Sequence, residues 1–264
     1  MAGRGPNLPL SSILLVVIGI VGVSSSGPLM AAATMVPALA ISFWRTGLGA
    51  LSVGAVAMAR HRGDLRRLAR REWVRSGFAG IMLAGHFAAW TSSLKMTSVA
   101  SATALVSLQV AWVVVLARLS GRSIDTRVWI GLALSLAGVL VVSGVDGTIS
   151  ARAVAGDLLA LSGGVFGAVY ISVGGRVREH TTTVAYTVVC YTVCALTLAV
   201  ACAAARVPLT GFDARSWGLI VAVTVSAQIL GHSVFNHLLA VMSPTLVSML
   251  LLLEVPGAAL LAAV

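Results

Sequence analysis

The chain consists largely of long apolar stretches, and this feature decides what it can fold into. Nine such stretches of about 20 residues are separated by short polar segments. An α-helix of about 20 apolar residues crosses the hydrocarbon core of a bilayer, which is ~30 Å thick. Only 10% of the 264 residues are charged and 58% are hydrophobic, whereas a soluble domain carries about 25% charged residues. The sequence therefore predicts an all-α polytopic membrane protein. The predicted spans are Leu10–Ala33, Pro37–Ala59, Ser76–Leu94, Val99–Leu119, Val128–Val145, Gly156–Gly175, Thr183–Ala205, Trp217–Leu239 and Pro244–Val264.

The net charge of +10 is best explained by membrane topology. Thirteen of the eighteen basic residues fall in alternate loops on the side of the N-terminus. They are Arg4, seven arginines from Arg60 to Arg75, Arg118, Arg122, Arg127, Arg176 and Arg178. The other side has four: Lys95, Arg152, Arg206 and Arg215. Because basic loops stay in the cytoplasm, we expect a multi-pass protein of the cytoplasmic membrane with its N-terminus inside. Charge spread in this way favours no nucleic-acid partner.

The second half of the chain repeats the first. A shift of 145 residues matches positions in four successive spans, and a shift of 146 continues the match within them. The matched positions are Gly19 with Gly164, Gly22 with Gly167, Ala40 with Ala185, Gly85-His86 with Gly231-His232, Met96 with Met242, and Leu108-Gln109-Val110 with Leu253-Glu254-Val255. A nearly constant offset over this length predicts a structural repeat.

The two copies are expected to be inverted, because five spans, an odd number, separate each position from its mate. Inverted repeats are typical of transporters, with the substrate site between the halves near the midplane. We expect residues 1–150 to form the first repeat with five helices and residues 151–264 the second with four. Val264 aligns with Leu119, so the alignment predicts that a tenth helix is missing, by loss or by truncation.

Several stretches carry a resemblance to a known family. They are Phe43-Trp44-Arg45, Ser107-Leu108-Gln109-Val110, Trp129-Ile130-Gly131, Leu136-Ala137-Gly138-Val139, Gly156-Asp157-Leu158-Leu159-Ala160-Leu161 and Leu253-Glu254-Val255-Pro256. With them the chain resembles the EamA-type branch of the drug/metabolite transporter superfamily, over its whole length. The resemblance implies ten helices in two inverted repeats, and transport of small metabolites, amino acids among them, often outward. The chain departs from the family at Val110-Ala111, where a proline is usual, and in the missing tenth helix.

Glu254 is the sharpest candidate for a functional residue. It lies about eleven residues into its predicted span, or ~16 Å along a helix, which is the bilayer midplane. An acidic residue there costs roughly 2.5–3.5 kcal/mol to insert, so it is a candidate proton acceptor or partner for a substrate ammonium. A protonated side chain bonded to a neighbouring helix is the alternative. Its mate Gln109 is expected to form hydrogen bonds at similar depth, and Pro256 is a candidate hinge or a packing kink.

Arg45 lies within its predicted span. The resemblance places an arginine here, which favours a role as partner of a substrate carboxylate or as a structural residue. Its long side chain could also reach the outer interface, and Glu254 is a conceivable counterion.

Further polar residues are predicted to line a cavity or a proton pathway. His86 and His232 are repeat mates, and His237 follows the second. Their spacing matches no helical metal motif, so we expect hydrogen bonding or proton relay and no metal. Additional candidates for the lining are Trp90, Gln228, Asn236, Tyr170 and Trp112.

No cofactor is expected. Cys190, Cys194 and Cys202 lie at helical spacing within one apolar stretch, which favours packing over a disulfide or a metal site. The glycines form no phosphate-binding loop and no ATP-binding motif is present. Glycine pairs such as Gly163 and Gly167 are predicted to bring helices close together.

The favoured function is secondary active transport, most simply export, of a small polar, amino-acid-like metabolite by alternating access, with proton coupling through Glu254 as a hypothesis. The expected partners are that small molecule and the bilayer, and a homodimer stays open. The alternatives are a lipid flippase or scramblase, and an intramembrane enzyme using His86, His232 and Glu254 on a lipid-linked substrate. A groove open to the lipid and lined with polar residues would favour the flippase.

Overall fold

The described residues form helices joined by short turns. The computed structural model describes residues 10–143 and 150–262. Its helices are α1 (Leu10–Ser24), α2 (Ser26–Ala32), α3 (Ala38–Arg60), α4 (Arg62–Arg66), α5 (Arg70–Ser93), α6 (Val99–Ser107), α7 (Gln109–Leu119), α8 (Thr126–Ser143), α9 (Ala151–Arg178), α10 (Thr183–Ala204), α11 (Ala214–Val223), α12 (Val234–Leu238), α13 (Pro244–Leu251) and α14 (Glu254–Ala262), with a π-helix at Thr224–Ser233 between α11 and α12.

Seven helical stretches in this part of the chain are long and apolar enough to cross a membrane. They are α1 with α2, α3, α6 with α7, α9, α10, α11 through α12, and α13 with α14. They confirm the prediction of an all-helical polytopic membrane protein. Helices α5 and α8 overlap the predicted third and fifth spans, and the count of nine stays a prediction. Arg4, residues 144–145 and Val264 belong to the predictions above but lie outside the described residues.

Two spans are broken in the middle, each directly before one of the predicted polar mates. Between α6 and α7 the backbone tightens at Leu108, whose N–H bonds to Leu105 O, three residues back. Between α13 and α14 the N–H groups of Leu252 and Leu253 likewise bond three residues back. Gln109 therefore begins α7 and Glu254 begins α14. The first break occurs without a proline, so Pro256 in the first turn of α14 is not needed to explain the second.

Two other spans are irregular at a similar position. Ser25 separates α1 from α2, and its hydroxyl bonds to Gly22 O at 2.7 Å and to Ser226 Oγ at 2.7 Å. Ser226 lies in the π-helix, which occupies ten residues of the predicted span Trp217–Leu239. π-helical segments are rare and occur frequently at functional sites.

The helices pack as an interlocked bundle in which the two halves of the chain alternate. Helix α5 packs along α9, α3 along α10, and α1 along the π-helix and α12. The segment 60–75, Ser120 and Arg176 mark one end of the bundle, which we call the arginine end. Trp44 Nε1 donates to Leu209 O at 2.7 Å at the other end, which we call the opposite end.

Close helix contacts depend on glycine at a few positions. A Cβ at Gly80 in α5 would overlap Cys190 O of α10 and lie 3.2 Å from Cys194 N. A Cβ at Gly22 in α1 would lie 2.5 Å from Ser226 O. These backbones approach each other because glycine has no side chain. By contrast, a Cβ at Gly138 in α8 would have no atom within 4 Å, so no close contact there requires glycine.

We expect Gly80→Ala to lower the stability of the folded protein by about 1–3 kcal/mol, because the added methyl group forces α5 and α10 apart. Gly77→Ala, one turn earlier on α5, is the control, since its Cβ would be 3.8 Å from the nearest atom. Thermal unfolding in detergent can be followed with a thiol-reactive dye that reports exposure of the buried cysteines. Equal midpoints for both variants would contradict the close contact.

The first turn of α11 should respond to acid. Asp213 Oδ1 accepts a hydrogen bond from Ser216 N at 2.8 Å, and the hydrogen bonds from Ser216 hold the pKa of this carboxyl below its ordinary value. The ionised cap therefore contributes stability in full above the ordinary aspartate pKa, and that contribution is lost as the pH falls through the lowered pKa. We expect the hydrogen-exchange protection factor of the Ser216 amide to fall over this pH range. Asp213→Asn should abolish the pH dependence, and an unchanged profile in that variant would rule out the cap.

Candidate functional site

A narrow cavity lies inside the bundle at the level of the helix breaks. Its walls come from both halves of the chain: α1, α2, α5, α6 and α7 on one side, and α9, the π-helix, α12, α13 and α14 on the other. Its position between the two halves of the chain is where secondary transporters bind their substrates.

Most of the polar residues singled out from the sequence line this cavity. They are Glu254, Gln109, His86, His232, Trp90, Asn236 and Tyr170. Arg45 and Gln228 lie behind the wall, and Pro256 is exposed on the surface of α14. Trp112 is 43% exposed on α7, so its predicted place in the lining is wrong. His237 bonds to Thr183 Oγ1 at 3.1 Å at the arginine end, away from the cavity.

The carboxyl of Glu254 is buried at the cavity wall. Glu254 is 9% exposed, and its mate Gln109 is 7% exposed. Each begins the second half of a broken span, and α6 packs against α14, so the two breaks face one cavity. Over the described ranges, no cation lies within 4 Å of the Glu254 carboxyl. An acidic group placed in this way can bind a proton or a cationic ligand.

Histidine and aromatic rings form one wall of the cavity. The rings of His86 and His232 have their centroids 6.3 Å apart. His86 stacks on Trp90 at 5.9 Å, and His232 meets the ring of Phe87 edge-on at 5.1 Å. His86 Nδ1 lies 2.9 Å from Gly163 O, which is an acceptor, so this nitrogen carries a proton and Nε2 does not in the neutral ring. The wall therefore combines flat apolar faces with a free imidazole acceptor.

Two N–H donors in the lining have no partner among the residues described. Tyr170 Oη donates a hydrogen bond to Asn236 Oδ1, which leaves Asn236 Nδ2 without an acceptor. Trp90 Nε1 is also buried and unpaired. Because a buried donor without an acceptor is costly, these groups are available to an acceptor oxygen of a ligand or to water.

Arg45 is entirely buried, at 0% exposure, and joins four helical elements behind the cavity. Its Nε donates to Gln228 Oε1 at 3.1 Å and its Nη1 to Ser26 Oγ at 3.0 Å. The guanidinium carbon lies 4.2 Å from the centroid of the Phe87 ring, a cation–π contact. The side chain therefore does not reach toward the interface. Ser26 lines the cavity and links it to Arg45, and nothing in the sequence marks this serine.

A second narrow cavity lies toward the arginine end. Its lining continues along three helices that also line the first cavity: α7 at Val113 and Leu116, α9 at Ser172 and Gly175, and α13 at Thr245. Gln109 and Val113 are one turn apart, and Ile171 and Ser172 are neighbours in sequence. Only about one helical turn separates the two cavities on this side.

Comparison with known proteins places the chain in a family. The model of the EamA-like transporter family matches residues 10–144. The chain belongs to the EamA-like transporter family. A crystal structure described as "Crystal structure of protein" is similar, with a TM-score of 0.75, 22% sequence identity, and coverage of 95% of this chain and 86% of the other. That likeness supports the fold alone. None of the curated proteins matches this chain.

Membership of the EamA-like transporter family makes this chain a multi-pass membrane protein of drug/metabolite transporter type. The resemblance seen in the sequence is thereby confirmed. A transporter of this type binds a small-molecule substrate within the bilayer, and the cavity supplies a space for one.

The bonds of Arg45 generate a prediction about stability. Arg45→Lys should lower the free energy of unfolding by about 1–3 kcal/mol, because one ammonium cannot reach Gln228 and Ser26 in the planar geometry of a guanidinium. Arg215→Lys, at an exposed site at the start of α11, should change it by less than about 0.5 kcal/mol. Thermal unfolding in detergent measures both. Equal stability of the two variants would show that Arg45 does not hold these helices together.

Proposed function

We propose that this protein is a secondary active transporter that exports a small polar, amino-acid-like metabolite across the cytoplasmic membrane by alternating access. The observation that carries the proposal is the central cavity, onto which two broken spans bring the mates Gln109 and Glu254. Discontinuous helices around a midplane site are a recurring feature of secondary transporters.

Helix packing supports two inverted repeats, residues 1–150 and 151–264. If α1 with α2 corresponds to α9, and α5 corresponds to the helix from α11 through α12, then the packing of α5 on α9 should have a counterpart in the packing of α1 on the π-helix. Both contacts occur. The pair α3 and α10, and the pair of broken spans, would each lie on the symmetry axis.

The charge distribution supports an orientation with the arginine end in the cytoplasm. The segment 60–75, Arg122 and Arg176 all lie at this end, whereas Lys95 and Arg152 lie at the opposite end. By the positive-inside rule the N-terminus would then also be cytoplasmic. The proposal of export follows from the family resemblance, and its direction is open to measurement.

The groups in the cavity suit a ligand that carries both an amine and an acceptor oxygen. Glu254 would accept hydrogen bonds from the amine, while Trp90 Nε1 and Asn236 Nδ2 would donate to the oxygen. The rings of His86 and His232 would pack against an apolar part. A small zwitterion meets these requirements. A coupled proton would bind Glu254, with the histidines as a relay.

Glu254→Gln tests the coupling. We expect the variant to lose the dependence of substrate flux on an imposed pH gradient in proteoliposomes, because the amide has a similar shape but cannot take up a proton. A panel of radiolabelled amino acids serves as the probe. Glu72→Gln, in the first turn of α5, makes the same chemical change far from the cavity and should behave like the parent. Unchanged proton-dependent flux in Glu254→Gln would remove Glu254 from the mechanism.

The geometry does not favour a lipid flippase. A groove of about 1160 Å³ faces the lipid between α3 and α10. Its lining includes Leu51, Leu196, Gly47 and Gly54, with Thr192 as a hydroxyl among mostly apolar groups. A path for lipid headgroups needs polar lining, and here the polar residues gather in the central cavity instead.

An intramembrane enzyme is less well supported than a transporter. His86, His232 and Glu254 do share one cavity. However, residues 10–143 and 150–262 contain no group of three or more His, Cys, Asp or Glu side chains that could hold a metal ion. The proposed role of these three residues is therefore binding of substrate and proton.

A further inference from the structure

At the opposite end of the bundle, one lysine joins three elements. Lys95 lies in the turn between α5 and α6, and its Nζ donates to Ala33 O at 2.6 Å and to Met30 O at 3.2 Å. Its own carbonyl oxygen accepts a hydrogen bond from Arg152 Nη2, at the start of α9, at 2.8 Å. The end of α2, the α5–α6 turn and the start of α9 are thereby tied together.

The bond from Lys95 to Met30 O satisfies a carbonyl group in the last turn of α2, while Ala33 O, directly after α2, also accepts a hydrogen bond from Val36 N. The last carbonyl groups of a helix have no partner within it and carry partial negative charge, so a cation there is stabilising. Partial burial of the side chain opposes this by desolvation and lowers the pKa of Lys95. Since the cap comes from another element, it holds only while α2 and the α5–α6 turn stay together. Such a cap can be broken by a relative movement of the two.

Helix α2 is a separate element from α1, and it packs against α6, α11 and α14. It has seven residues and is divided from α1 at Ser25. Its Ser26 lines the central cavity. Helix α1 packs independently along the π-helix. Rotation of α2 about Ser25 would therefore uncover the cavity toward the opposite end while α1 keeps its packing.

The start of α9 closes against the same turn. A Cβ at Gly156 in α9 would lie 2.9 Å from Met96 Cβ and 3.1 Å from Thr97 Cβ. The turn that carries Lys95 therefore contacts α2 on one side and α9 on the other. At the arginine end, by contrast, the second cavity comes within about one helical turn of the first.

We propose that Lys95 is the latch of a gate at the opposite end: its bonds to Met30 and Ala33 close the cavity on that side, and they must break for substrate to leave there. The proposal rests on the alternating access argued above. Arg152 is a positioning residue, because it holds the turn from which Lys95 reaches α2.

Accessibility of the cavity to a reagent tests the latch without any substrate. Val106→Cys places a thiol on the cavity wall, in a chain whose three native cysteines are buried. A membrane-impermeant methanethiosulfonate is added to right-side-out and to inside-out vesicles, and the chain without Val106→Cys gives the background. Adding Lys95→Met should increase the labelling rate from the Lys95 side at least about tenfold, because both charge-assisted hydrogen bonds are lost. The rate from the arginine side should change by less than about twofold.

Three control variants separate a gate from a general loss of structure. Lys95→Arg keeps a cation and donors and should stay near the parent rate. Arg215→Met removes a charge at the same end without touching the latch and should also stay there. Arg152→Met should give a smaller increase from the Lys95 side, and it decides the question if gel filtration shows that Lys95→Met does not fold. Equal rates in the parent and in the folded latch variant, or faster labelling from both sides, would overturn the proposal and leave Lys95 a static cap.

The outcome also separates the latch from the proposed transport. Faster labelling in Lys95→Met together with no flux of any amino acid in the panel would leave the latch standing and count against the substrate class. Flux of an amino acid without a change in labelling would support the substrate class and overturn the latch.

Discussion

The guanidinium of Arg45 is a fully buried cation in a membrane span, and the bundle is arranged to compensate its charge. Hydrogen bonds to Gln228 and Ser26 and the face of Phe87 replace hydration. Those partners come from the π-helix, α2 and α5, while Arg45 itself belongs to α3. One buried charge therefore fixes the relative positions of four elements around the cavity. Ser26 is shared by the charge cluster and the cavity wall, so the cavity and the helix arrangement are connected through one hydroxyl.

The second organising constraint is the backbone of the broken spans. In a bilayer each N–H and C=O group needs a partner within the protein, so helix breaks survive only where they are buried or face a cavity. The breaks before Gln109 and Glu254 satisfy their N–H groups with tighter bonds, three residues back, and face the cavity. In the last turn of α2, Met30 O accepts a hydrogen bond from outside the helix, donated by Lys95. Irregular backbone, polar lining and the proposed gate are thus consequences of the same requirement.

The predictions of helix formation, membrane insertion and family are confirmed, because long apolar runs and short motifs carry that information. Glu254, Gln109, His86 and His232 stand out because polar groups are rare in apolar spans, and all of them line the cavity. The prediction that Trp112 lines the cavity was wrong, because an aromatic side chain can also pack against lipid. Nothing in the sequence predicted three other features: the place of Ser26 in the lining, the π-helix, and the unpaired donors of Trp90 and Asn236. They depend on contacts between helices that are distant in sequence.

The sequence by itself determined that the chain crosses a membrane and which residues are costly to bury, because hydropathy is a property of a one-dimensional pattern. The relation between its halves stays a prediction. Only the tertiary structure decided that Arg45 lies behind the cavity and not in it, that two helix breaks meet, and that Lys95 caps α2. These facts depend on which helices touch and at what level. In a bilayer, apolar helix faces gain little by packing on each other instead of on lipid. Packing of small residues and pairing of polar groups therefore determine which helices are neighbours. Neither can be predicted from the sequence of a single span.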